Sequence, residues 1–172
     1  MDPFFQLAMV VLPSVIVFLT AYYLVKNFLD KEERKKMFDL KLANQNILTP
    51  IRLQAYERVI LFLERINPSS LVMRSNKGVN ALTLQTELLK TIRNEFEHNL
   101  SQQIYMSVVS WDALVKAKDE TVKIINVAAS KVAFDSTGMD LAQVVIQVSS
   151  QLTELPSKAA IDLIKKEIGK EF

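Results

Sequence analysis

The chain opens on an uninterrupted apolar run and then breaks into helical periods. "FFQLAMVVLPSVIVFLTAYYLV", Phe4 to Val25, carries no charged side chain. At ~1.5 Å per residue such a run covers roughly 33 Å, the thickness of a bilayer hydrocarbon core. A signal peptide would need a basic leader and a small-residue cleavage site. Here Asp2 is the early charge and "AYYLVKNFL" follows, so the run predicts an uncleaved transmembrane helix. Pro13 and Ser14 fall mid-span, where a kink is tolerated. Phe4, Phe5, Tyr22 and Tyr23 mark its ends, as interfacial aromatics do.

Beyond the run, residues 26–48 read as a juxtamembrane helix. Phe28, Leu29, Met37, Phe38, Leu40 and Leu42 recur there at loose helical spacing, suited to a stalk on a partner or to a solvated connector. Thr49-Pro50 predicts a helix start, with Thr as cap and Pro at the first helical position. That helix ends before Asn67-Pro68 and buries a stripe of Ala55, Tyr56, Val59, Phe62, Leu63 and Ile66. It carries a short echo, Glu57-Arg58-Val59 and then Glu64-Arg65-Ile66, with Leu61 on the polar side.

"NPSSLVMRSNKGVN" predicts the longest loop. A helix is expected from about Leu82 to Ile104, with Leu88, Leu89, Phe96 and Leu100 on its apolar face. Ser107 or Ser110 caps the next helix. Along it Trp111, Val115, Lys118, Val122, Ile125, Ala129 and Val132 alternate four and three apart, interrupted by the lysine. Thr137 and Asp140 have capping-box spacing before Leu141, Val144, Val145, Val148 and Leu152. "VVIQV" leaves a strand open as an alternative there. Pro156-Ser157 begins a final helix through Ile161, Ile164 and Ile168. The expected fold is all-α: a transmembrane anchor over residues 1–25, a connector over 26–48, and a cytoplasmic domain over 49–172, giving a bundle of about five helices.

Composition narrows the chemistry. The 172 residues include 21 basic and 19 acidic side chains, a net charge of +2 that is far from a nucleic-acid binder's footprint. With no cysteine, thiol catalysis, disulfides and cysteine-ligated metals are excluded. Three glycines and five prolines favour long helices, and no glycine-rich phosphate loop or nucleophile elbow occurs. Lys26, Lys31, Arg34, Lys35 and Lys36 follow the apolar run and no Lys or Arg precedes it. The positive-inside rule then places the N-terminus outside and the remainder in the cytoplasm.

"RNEFEHNLSQQIY" holds the chain's single histidine, His98, in an E-x-x-H with Glu95. Di-metal bundles need two such motifs pointing inward, and one histidine cannot supply them. On a helical wheel His98 and Glu97 project away from the apolar face, which predicts a solvated pair; no catalytic, metal or cofactor site is expected. Gln85, Asn99 and Gln103 lie on or near the apolar stripe, where a buried amide needs a partner. The expected interaction surface is Glu57, Arg58, Leu61, Glu64 and Arg65, with Glu95, His98, Asn99 and Gln103 second.

"RLQAYERVILFLERINP", "IRNEFEHNLSQQIYMS" and "WDALVKAKDETVKIIN", behind "VFLTAYYLVKNFL", resemble a family of small single-pass membrane proteins of unknown function from Bacteroidota. The resemblance implies a bacterial inner-membrane setting and carries no reaction or site. The leading expectation is a non-enzymatic, membrane-tethered interaction module, an accessory or scaffold subunit bound to a protein partner or to its own copies. The alternatives are a metal- or small-ligand-binding bundle enzyme using Glu95, His98 and Tyr105, and a sensor of membrane state.

Overall fold

The computed structural model describes residues 3–76 and 78–171, without the side chains of residues 3–8, 10 and 171. Asp2, and the side chains of Phe4 and Phe5, therefore lie outside the described residues. Among those described are six α-helices: α1 (Pro3–Arg65), α2 (Pro68–Ser75), α3 (Ala81–Asn99), α4 (Val108–Ala129), α5 (Gly138–Ser150) and α6 (Pro156–Glu171). A 3₁₀ segment, Leu100–Tyr105, joins α3 to α4. The chain divides into two units, residues 1–49 and 50–172.

In the first unit, none of the apolar window of α1 is buried inside the protein, and this helix is long and apolar enough to cross a membrane. It has the length and composition of an anchor or of a signal sequence. Val17, Phe18 and Leu19 are 66%, 69% and 57% exposed. Leaving such a run in water costs on the order of 10 kcal/mol or more. The hydroxyls inside it are turned back on the helix: Ser14 Oγ donates to the Val11 carbonyl at 3.0 Å, and Thr20 Oγ1 to the Ile16 carbonyl at 2.9 Å. Intrahelical partners of this kind are what an apolar solvent demands of a polar group.

The predicted helix start at Thr49-Pro50 does not occur, because α1 runs through it to Arg65. Pro50 lies inside that helix and, lacking an N–H, cannot make the backbone hydrogen bond its position would otherwise carry. The stripe beyond it matches the expected one: Ala55, Tyr56, Val59, Phe62, Leu63 and Ile66 are all buried.

In the second unit α4 is central, packing against α2, α3, α5 and α6. The core joins Val59, Phe62 and Leu63 to Leu84, Leu88 and Ile92 of α3, Leu114 and Ile125 of α4, Leu141 and Val145 of α5, and Ile164 of α6. The expected seam of α4 is displaced. Leu114, Ala117, Thr121, Ile124, Ile125 and Ala128 are buried, whereas Trp111, Val115 and Val122 are partly buried beside them. Lys118 does not break the packing: its Nζ stands 4.5 Å from the centre of the Phe96 ring, which itself lies between Phe62 and Trp111 at 6.0 and 5.9 Å. A cation on an aromatic face contributes about 0.5–1 kcal/mol while its stem covers apolar surface.

Two further expectations are corrected. The supposed long loop contains α2, because the Asn67 side chain accepts from Ser69 N at 3.2 Å and Pro68 fills the first turn. The expected helix to Ile104 ends as α-helix at Asn99, and the 3₁₀ turn changes phase, so Leu100 faces solvent at 39% exposure. The strand alternative for "VVIQV" also fails, since α5 is helical and opens on a complete capping box between Thr137 and Asp140. Ser107, not Ser110, caps α4, accepting from Ser110 N at 3.1 Å.

Gly138 marks a close approach. Its N–H donates to the Val79 carbonyl at 2.8 Å, beside the Asn80–Thr137 bridge, and an added Cβ would lie 2.6 Å from that same oxygen. Gly138→Ala should destabilise the bundle by about 1–3 kcal/mol. Gly169→Ala, where a Cβ meets nothing within 4 Å in α6, should stabilise it by up to about 1 kcal/mol. Paired thermal melts read both signs.

Candidate functional site

Eight of the nine predicted surface residues fall on α1 and α3, whose facing sides are held by Phe62 against Phe96, and Gln103 falls on the 3₁₀ segment. Between them runs a groove of about 420 Å³ lined by Arg58, Leu61, Phe62, Arg65, Asn94, Glu95, His98 and Asn99. Helical spacing explains the lining. Arg58, Leu61 and Arg65 lie three and four residues apart on α1, and Asn94 and His98 four apart on α3, so each set shares one face. Leu61 is 50% exposed and forms the apolar part of the groove. Arg58 and His98 are exposed beside it.

Arg65 Nη1 donates to both carboxylate oxygens of Glu95 at 3.1 Å, crossing from α1 to α3. The guanidinium side chain is 53% exposed and the carboxylate 31%. Such a surface pair contributes roughly 0–1 kcal/mol and serves more to set the groove's width than to stabilise the fold. A second bond from Arg74 Nη2 to the Arg65 carbonyl ties α2 to the end of α1.

The E-x-x-H pair is already engaged. Glu95 is spent on Arg65, and His98 Nδ1 lies 2.8 Å from the Asn94 carbonyl, to which it can only donate. No group of three or more His, Cys, Asp or Glu side chains arranged to hold a metal occurs among the described residues. Asn99 is 9% exposed, and its Nδ2 donates to the Glu95 carbonyl at 2.7 Å, closing the last turn of α3. Gln85 bonds Asn126 Oδ1 of α4 at 3.0 Å. Six of the nine predicted residues thus come together: Arg58, Leu61, Arg65, Glu95, His98 and Asn99. Glu57, Glu64 and Gln103 are exposed and do not line the groove. Tyr105 contributes its carbonyl, which accepts from Arg52 Nε at 3.1 Å. Asn94 was not predicted, although its place one turn before His98 would have revealed it.

Sequence reasoning missed a polar centre at Glu167 of α6. Its carboxylate accepts from the Tyr56 hydroxyl of α1, from Ser107 Oγ at 2.5 Å and from Ser110 Oγ at 2.7 Å. Ser107 caps α4, so the anion also meets the positive end of that helix. Partial burial opposes the charge, but the bonds from Ser107, Tyr56 and Ser110, with the nearby Arg52 guanidinium, outweigh it and hold the carboxyl below its usual value. With its oxygens satisfied by fixed donors, this group is a joint between α1, α4 and α6 rather than a free base.

A carboxyl whose pKa is lowered on folding stabilises the fold above its unfolded value, and that contribution is lost as pH falls through the folded value. The bundle should therefore weaken below about pH 4.5, the ordinary carboxylate value. Glu167→Gln should cost about 1–3 kcal/mol at neutral pH and flatten this acid limb in chemical denaturation series.

No curated protein and no solved structure matches the chain significantly. A family model described as "Family of unknown function (DUF7935)" matches residues 2–171, nearly the whole length, and the chain belongs to that family.

Proposed function

We propose that this chain is a membrane-tethered, non-enzymatic interaction module, an accessory or scaffold subunit of a bacterial inner-membrane assembly. The apolar run of α1 is its anchor, with the N-terminus outside and the bundle in the cytoplasm, as the flanking Lys and Arg residues favour. The groove between α1 and α3 is its docking surface. The observation that carries this reading is the convergence of Arg58, Leu61, Arg65, Glu95 and His98 on one groove.

The groove's chemistry describes the partner. Leu61 offers one apolar contact, and Arg58 lies beside it with no carboxylate partner among the described residues. A polypeptide that brings an apolar side chain and an adjacent carboxylate meets both needs. Tethering keeps such a partner at high effective concentration, so a small contact still gives useful occupancy.

A photo-crosslinking residue in place of Leu61 should capture a discrete polypeptide in intact cells, and one in place of the exposed Gln147 of α5 should not. Charge reversal, Arg58→Glu, should reduce that capture about tenfold, equivalent to about 1.4 kcal/mol, while the thermal midpoint is unchanged. Equal capture at both positions, or no effect of the reversal, would count against the groove. Alkaline extraction tests the anchor separately: the intact chain should remain with the membrane.

A further inference from the structure

Two guanidinium groups line the groove between α1 and α3, those of Arg58 and Arg65. The fold neutralises one of them. Arg65 Nη1 donates to both oxygens of Glu95, whereas Arg58 has no carboxylate partner among the described residues. The two carboxylates that join helices in this bundle are held very differently. Glu167 accepts from three hydroxyls on α1 and α4. Among the described residues the Glu95 carboxylate accepts from Arg65 and from no other donor, and that donor's side chain is 53% exposed. A pair of this kind is held weakly in water, so Glu95 is exchangeable where Glu167 is fixed.

We infer that Glu95 is a built-in competitor for the groove: it occupies Arg65 until a carboxylate of the docked polypeptide takes its place. The inference rests on the docking role proposed above and adds what the partner carries and what restrains it. Arg58 and Arg65 are seven residues apart on one face of α1, a rise of ~10 Å, with Leu61 between them. An extended polypeptide covers that distance in three residues at ~3.3 Å each. The matching ligand is therefore a segment with an apolar side chain between two carboxylates three residues apart. Its first carboxylate meets Arg58, its apolar side chain covers Leu61, and its second displaces Glu95. A guanidinium accepts such an exchange readily, because its planar fork fits any carboxylate in the same way. The cost is that every docking event must first break the internal pair, so Glu95 lowers affinity for diacidic partners and leaves monoacidic ones alone.

The chain's single histidine, His98, lines this groove, so its ring resonances report occupancy directly. The full-length protein in detergent is titrated at one fixed pH with two peptides, acetyl-Glu-Leu-Gly-Glu-amide and acetyl-Glu-Leu-Gly-Gln-amide. Both should shift the His98 signals saturably. Glu95→Gln should tighten the diacid peptide about threefold to tenfold and change the monoacid by less than about twofold. Adding Arg65→Gln to that variant should remove the gain. Glu95→Ala should behave as Glu95→Gln does, and all variants should keep the thermal midpoint of the unaltered chain. Unchanged diacid affinity in both Glu95 variants would overturn the inference alone, as would a gain that survives without Arg65, since that gain would report only a lost negative charge. Absence of any saturable shift with either peptide would overturn the docking role and the inference together.

Discussion

The bundle depends on the burial of one stripe at the end of α1. Tyr56, Val59, Phe62, Leu63 and Ile66 are buried in one core cluster with residues of α3, α4, α5 and α6, and each fully buried side chain of this size contributes roughly 1.5–3 kcal/mol. Without that stripe the shorter helices would lose a wall of their core.

Around this stripe the polar groups take fixed places. Glu167 gathers hydroxyls from α1 and α4, and Arg65 reaches Glu95 across the groove. No buried side-chain nitrogen or oxygen among the described residues lacks a partner. The two centres differ in consequence. Glu167 is half-buried with several neutral donors, so its charge is coupled to folding. The Arg65–Glu95 pair is solvated and nearly neutral in energy, which leaves the groove open to competition from an incoming charge.

The groove at Leu61 is the surface we propose for a partner, and it differs in kind from the exposed apolar positions earlier in α1. The groove at Leu61 is mixed in polarity and small, suited to a side chain and a charge. Met37, Leu40, Ile47 and Leu48 are exposed and apolar, and so are Phe38 and Leu42.

Period and capping chemistry determined the helices. The Thr137–Asp140 box, the stripe from Ala55 to Ile66 and the apolar run up to Val25 were legible from residues alone, because each depends on neighbours within a turn or two. The projection of His98 toward solvent was legible for the same reason. What spacing could not reveal were outcomes decided by distant groups. Lys118 reads as a flaw and is accommodated by Phe96; Glu167 reads as one more surface carboxylate until Tyr56 and Ser107 arrive from other helices. Local hydrogen bonds and periodicity act over a few residues, but burial and polar pairing are settled only when the helices meet.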